Sequence, residues 1–387
     1  MTKKVLLIGS SFAAVPFLKR LRELSYEVHV CGMRPQEPCV TLADQYFPLD
    51  YSDPHALRNF LKENAYSAII PDCNDVAYLT GAKLAEEFGF PGFDTAPTTL
   101  IFLEKSFFRS YLREHAISSP QSLLLEGAPQ EELQKLQYPV MIKPVDSFSG
   151  RGVSKVGSAD EVSAASELAR QESRQGKVII EEFIEGSLHS HSAFIRNGKI
   201  AIDFFVDEFC TVYPYQVNCS NSPSALASDL QARLRESIDR IITHLNVVDG
   251  VFHTQFIVRG DDFYLIETTR RCPGDLYPEL IMKSSGVDYI ALFLAPFLGE
   301  TMLATQIPRH DLWARHTISR DHDIVLGGVQ NTFSSKGFIY YPIRHVGEKV
   351  VAAPFGRVGI IFIQFSDQNE LFLETPRMKN YITLHEL

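Results

Sequence analysis

The run from Tyr138 to Val153 constrains this chain more than any other. An apolar strand, Val140 to Ile142, ends in Lys143, and a loop of small residues then leads into a second strand. Ser147, Ser149, Gly150 and Gly152 leave room for backbone N–H groups to approach anionic oxygens, while Lys143 sets a point charge on a rigid strand. A lysine that interrupts a buried pattern is costly without an anionic partner. A loop that closes over phosphate is therefore expected, in preference to a plain hairpin turn with a surface lysine.

Two other stretches carry chemistry. From Lys177 to Gly186 an apolar strand runs into Glu181, Glu182 and Glu185. Irregular backbone at such a strand end offers free N–H and C=O groups to an adenine edge, and carboxylates can accept from an amino group or sugar hydroxyls. A solvated acidic strand end is the competing reading. Farther on, Val251 to Val258 and Phe263 to Thr269 flank the turn Arg259-Gly260-Asp261-Asp262 and read as a hairpin. Glu267 and Thr269 are two apart and share a sheet face, Gln255 converges from the facing strand, and Arg271 lies two further on. Hard oxygen donors so placed suit Mg2+, which takes one or two carboxylates plus substrate phosphates. An exposed polar strand end is the alternative.

The first 95 residues alternate strands and helices. Val5 to Ile8, the turn Gly9-Ser10-Ser11 and a helix through Phe17, Leu18, Leu21 and Leu24 come first. A strand at Val28 to Cys31, a helix capped by Asp53 with Pro54 in its first turn, and a strand at Ala68 to Pro71 follow. The alternation predicts a doubly wound parallel sheet. The Gly9 turn lacks the later glycines of a dinucleotide fingerprint and reads as a tight strand-to-helix turn. Residues 96–300 predict a helix around Leu103 to His115 and a packing helix through Leu226, Leu230, Leu234, Ile238, Ile241 and Leu245. Over 301–387, short strands at Gly337 to Pro342, Lys349 to Ala352 and Val358 to Phe365 predict a small, mainly antiparallel β appendage, with a helix opening near Asp367.

Length and charge narrow the function classes. With 387 residues the chain exceeds a single core, and domains are expected at 1–95, 96–300 and 301–387. Its 37 basic and 47 acidic residues give a net charge of -10 without long blocks of one sign, which argues against a nucleic-acid partner held by phosphate neutralisation. No apolar run approaches the roughly 20 residues of a membrane helix, and the opening does not read as a leader, so no membrane partner is expected. Six scattered cysteines without a CxxC pair fit reduced thiols in the cytoplasm.

Taken together in this order and spacing, the three stretches resemble the ATP-grasp superfamily, which includes biotin carboxylase, D-alanine-D-alanine ligase and L-amino acid ligases. The resemblance implies a nucleotide held between two α+β subdomains, with ATP and Mg2+ (or Mn2+) as cofactors. It further implies an acyl phosphate made from a small-molecule carboxylate and attacked by an amine, with release of ADP and phosphate. By position, Lys105 resembles the lysine that reaches the α-phosphate, and Lys143 the second phosphate lysine. Ser147, Ser149, Gly150 and Gly152 match the flap, followed by Val153. Glu181, Glu182, Phe183 and Ile184 fall at the adenine hinge, and His189 at a ribose contact. Gln255, Glu267 and Thr269 occupy metal-ligand positions. Arg271 matches the arginine that steadies the acyl phosphate, which makes Arg271 and Lys143 the catalytic candidates. Arg270, His253, Asp275 and His191 are candidates for gripping an amino or carboxyl group, and a homodimer is a common assembly among similar proteins.

The sequence departs from the family's pattern at the metal positions. An acidic residue is usual where Gln255 stands and an asparagine where Thr269 stands, leaving Glu267 as the one sure carboxylate. An amide oxygen can coordinate but lacks the charge that draws a dication. Ala201 to Leu230 contain no lysine or arginine, although many members carry a lysine there. The expectation is an ATP-dependent carboxylate-amine ligase. The alternatives are a bicarbonate-activating carboxylase or carbamoyl-phosphate-like synthase, and a non-catalytic ATP-binding module.

Overall fold

The structure is a computed structural model that describes residues 3–126, 136–302, 308–333 and 337–387. It opens with β1 (Lys4–Ile8), α1 (Val15–Glu23), β2 (Glu27–Cys31), α2 (Pro38–Leu42), β3 (Gln45–Phe47), α3 (Pro54–Glu63), β4 (Ala68–Pro71) and α4 (Asp75–Phe88). These strands form a parallel sheet in the order β3-β2-β1-β4. Val5 to Ile8, Ile69 and Ile70 are completely buried, as continuous apolar runs in a covered parallel sheet must be. Asp53 caps α3 by accepting from the His55 N–H, with Pro54 in the first turn. Asn74 likewise caps α4, and Gly89 ends it in the left-handed conformation.

Next come α5 (Ala96–Leu103) and α6 (Lys105–Glu114), so the single helix expected around Leu103 to His115 is the second of a broken pair. The break falls at Glu104, which is extended and buried. Its carboxylate accepts from Ser106 and Gln175, and the Lys105 N–H donates to the Val145 carbonyl, so tertiary partners outweigh helix continuation. A second sheet follows: β5 (Ser122–Leu124), β6 (Val140–Pro144), β7 (Ser154–Val156) and β8 (Val178–Glu182), with α7 (Ala159–Glu172) between the last two. It is antiparallel in the order β5-β8-β6-β7.

The central sheet is built from β9 (Ser187–Arg196), β10 (Lys199–Phe209), β11 (Cys219–Ser222), β12 (Gly250–Arg259) and β13 (Asp262–Thr269). The helix α8 (Ser228–His244) buries Leu230, Leu234, Ile238 and Ile241 in one core with Phe252 and Phe256 of β12. Then come α9 (Tyr277–Ser285), α10 (Tyr289–Phe297), β14 (Trp313–Ile318), β15 (Ile324–Asn331), β16 (Gly337–Pro342), β17 (Lys349–Val350), β18 (Gly359–Gln364), α11 (Gln368–Glu374) and β19 (Ile382–Glu386). The C-terminal strands are antiparallel, as their spacing predicts. However, β14, β18 and β16 extend the central sheet to the order β13-β12-β9-β10-β11-β14-β18-β16, while β17, β15 and β19 pair separately. Among the described residues no helix is long and apolar enough to cross a membrane.

Candidate active site

A cleft of about 2030 Å³ opens where the turns after β1 and β4, the second sheet and the face of β9, β10, β12 and β13 meet. Lys105, Lys143, Ser147, Ser149, Gly150, Val153, Glu181, Glu182, Phe183, Ile184 and His189 all line it. So do Gln255, Glu267, Thr269 and Arg271. The tertiary fold thus draws all three sequence stretches to one cavity. Gly152 instead turns toward Pro144 and Glu172, where a Cβ would stand 2.9 Å from each.

On one flank stand the ammonium groups. Lys143 is the fourth residue of β6, and its Nζ lies 2.6 Å from Glu181 Oε2 on neighbouring β8. The anionic partner its half-buried position requires is therefore internal. Glu181 also meets Arg109 Nε at 2.8 Å, with both side chains almost fully enclosed. Burial alone would push the Glu181 carboxyl up, but Arg109 and Lys143 outweigh it and hold the group down at about 2. Arg109 Nη2 then donates to the Ile266 carbonyl at 2.7 Å. Ile266 is the extra residue of a bulge, since Gln255 pairs with Glu267 but Phe256 pairs with Leu265. A continuous polar chain therefore joins Lys143 on the second sheet to the residue beside Glu267 on the central one.

Lys105, the first residue of α6, donates to the Ser147 carbonyl at 2.7 Å and so touches the flap. Burial lowers its pKa, while the Glu267 carboxylate across the cleft opposes that shift. The flap itself bends through Ser149 and Gly150, both at positive φ. Its Arg151 lies between the rings of Phe148 and Phe355, and Lys155 sits 3.7 Å over Phe183.

On the other flank, Gln255 and Glu267 are register partners across the β12–β13 hairpin. Gln255 Nε2 donates to Glu208 Oε2 at 2.5 Å. Thr269 Oγ1 donates to Asp75 Oδ1 at 3.0 Å, and Arg271 Nε meets the same oxygen at 2.9 Å. Burial raises the Asp75 carboxyl most, but the Arg271 charge and hydrogen bond, with Thr269 and the Lys105 charge, together outweigh it and lower the group overall. Among the described residues no group of three or more His, Cys, Asp or Glu side chains is placed to hold a metal ion. The three expected ligand positions, Glu267, Gln255 and Thr269, offer a carboxylate, an amide and a hydroxyl, a set that fits Mg2+ only when phosphate oxygens or water complete its octahedron.

The remaining candidates divide. His189 lines the cleft between Asp207 (2.9 Å) and the Ser187 hydroxyl (2.7 Å). His253 also lines it, with Nδ1 3.3 Å from Ser192 Oγ, and burial followed by the nearby Arg271 charge lowers its pKa well below the ordinary range. Asp275 lines it too, paired with Arg357 at 2.9 Å. Arg270 and His191 do not reach the cavity. Arg270 is buried against Asp94 at 2.6 Å and two carbonyls, and His191 against Asp203 at 2.7 Å, so both serve packing.

Asp75, Arg109 and Glu208 belong to the site, yet sequence motifs did not single them out. Signals existed. Asp75 opens the helix after β4, at the carboxyl end of a parallel sheet where ligands gather. Arg109 is a charge among the buried positions Phe108, Tyr111 and Leu112 of α6. Glu208 continues the alternating buried face of Phe204 and Val206.

The chain is similar in sequence and fold to several known proteins. Residues 136–279 match the family model of the ATP-grasp domain. The chain is 26% identical to a formate-dependent phosphoribosylglycinamide formyltransferase from Synechococcus sp. (strain CC9311), over 97% of this chain and 96% of that protein. The fold is similar to an L-amino acid ligase from Bacillus licheniformis (TM-score 0.81, 16% identity, covering 100% of this chain and 99% of the other). It is also similar to a phosphoribosylglycinamide synthetase from Anaerococcus prevotii (TM-score 0.79, 15% identity, all of both chains).

Proposed function

We propose that this chain is a member of the ATP-grasp superfamily and an ATP-dependent ligase that activates a carboxylate as an acyl phosphate and joins it to an amine, releasing ADP and phosphate. The observation that carries this reading is the convergence of Lys105, Lys143, Gln255, Glu267 and Arg271 on one cleft. The relative from Synechococcus is named a formate-dependent formyltransferase and a structural neighbour an L-amino acid ligase, names that support this reading.

In this reading the chain's own residues bind and orient. Lys105 and Lys143 neutralise phosphate oxygens from one flank. Lys143 carries three donors, so it can keep Glu181 while offering the others to a ligand. The Glu181–Arg109 pair holds it in place beforehand, so little reorganisation is needed at the moment of reaction. Glu267 and the Gln255 carbonyl oxygen would hold a magnesium ion, which would supply neutralisation of triphosphate charge. Arg271, clamped by Asp75, presents its remaining donors to the carboxylate as its oxygen attacks the γ-phosphorus, ADP leaves and the acyl phosphate anhydride forms. The flap at 147–152 excludes water, since an acyl phosphate reached by solvent is lost to hydrolysis. A homodimeric assembly and a cytoplasmic location belong to the same proposal.

The test is ADP release from ATP and Mg2+ with pooled carboxylic acids and amines, followed by product mass analysis. An amide product supports the reading. ATP binding by calorimetry with no turnover under any pairing overturns it in favour of a binding module.

A further inference from the structure

We propose that Glu208 supplies the second negative charge of the cation site, acting as a positioning residue through the side-chain amide of Gln255. The inference rests on reading the cleft as a magnesium-nucleotide site. Strand β9 separates β10 from β12, yet the two long side chains span it and meet at 2.5 Å. A primary amide has a donor end and an acceptor end. With the Nε2 end committed to Glu208, the carbonyl oxygen is the end of Gln255 left to serve a cation beside its register partner Glu267.

Glu208 also accounts for the amide itself. A glutamate at 255 would set two carboxylates at hydrogen-bond distance, where one must retain a proton. The charge at 208 and the neutral group at 255 are therefore a matched exchange, with the carboxylate on β10 and the amide on β12 of the same cleft wall. Glu208 is only 4% exposed, and the charges acting on it are Arg315 and His189. Arg315 is shared with Ser220 Oγ and the Asp275 carbonyl, and His189 with Asp207. A buried carboxylate so placed gains from a cation held at the other end of the amide.

The experiment is titration of Mn2+, followed by electron paramagnetic resonance of the free ion, with ATP present. It compares the wild type with Glu208→Gln, Gln255→Glu and the double variant. Glu208→Gln keeps the shape and an acceptor for Gln255 but removes the charge. The double variant rebuilds the hydrogen bond with its ends exchanged, which keeps the test decisive if either single variant folds poorly. Glu208→Gln should lose roughly tenfold to a hundredfold in Mn2+ affinity while its melting temperature holds. Gln255→Glu should bind no more tightly than wild type, and the double variant should recover most of the loss. Wild-type affinity in Glu208→Gln, or no recovery in the double variant, overturns the proposal. A wild-type protein that fails to take up Mn2+ with ATP instead sinks the nucleotide-site reading, so the two failures are told apart by which protein shows them.

Discussion

Arg271 Nε lies 2.9 Å from Asp75 Oδ1, tying the loop after β13 to the first residue of α4 across 196 positions of sequence. The same carboxylate oxygen accepts from Thr269, so one acid fixes two side chains of the candidate site.

That shared anchor makes Asp75 a positioning residue that sequence motifs did not reveal. Asp75→Asn keeps an acceptor for Thr269 but loses the charge that steadies the guanidinium. Turnover number is expected to fall roughly tenfold to a hundredfold, with the KM for ATP little changed, because misplacement near the reacting atoms costs rate before binding. Steady-state kinetics of ADP release check this, and a changed KM with unchanged turnover would contradict it.

Lys143→Ala removes an ammonium that faces both Glu181 and the cleft. Glu181 keeps Arg109 at 2.8 Å, so the variant escapes most of the roughly 3–5 kcal/mol cost of leaving a buried charge wholly unpaired. ATP turnover should drop a hundredfold or more, on the scale of about 3 kcal/mol for one lost preorganised charge contact. Phosphate release alongside a melting curve decides the matter. Wild-type phosphate release would overturn the assignment of this lysine.

Gly150 has φ +72°, and a Cβ there would stand 2.3 Å from the Tyr215 carbonyl oxygen. Gly150→Ala should therefore displace the flap at a cost of about 1–2 kcal/mol for the left-handed backbone alone. Expected is a KM for ATP raised about tenfold, with a melting temperature close to wild type because the loop lies outside the core. Unchanged ATP kinetics would show that the loop does not close on nucleotide.

Glu181 gives the molecule an acid limit. Its folded-state value of about 2 lies below its ordinary 4.5, so the unfolded chain takes up the proton first. Its contribution to stability is complete above pH about 4.5 and is lost as pH falls toward 2. In urea titrations across that window, the wild type should lose more stability than Glu181→Gln, whose amide does not titrate. Parallel pH profiles for the two proteins would rule out the buried ion-pair network as their source.

How far the sequence reaches differs between neighbours in the chain. Arg270 and Arg271 are adjacent, yet one is buried against Asp94 and two carbonyls while the other faces the cleft. Period-two alternation places Arg271 on the face of Glu267, which was legible, but Arg270 also stood as a candidate for gripping substrate, and only its buried contacts take it out of the site. The hairpin and the convergence of Gln255 with Glu267 were legible from its spacing, but the turn's register alone would set Gln255 opposite Ile266, and only the bulge at Ile266 makes Glu267 its partner. The broken helix at Glu104 was not legible, because its cause is a set of partners on the second sheet.

The sequence by itself determined the strand and helix periods, the two lysines, the small-residue flap and the hairpin that carries Glu267. Each depends on interactions within a few residues. Only the tertiary structure decided that Glu181 answers Lys143, that Asp75 holds Arg271, that Glu208 meets Gln255, and that β14, β18 and β16 continue the central sheet. Those contacts join segments far apart in the chain. A buried charge or an open strand edge must find a partner, but nothing local in the sequence says which distant segment will provide it.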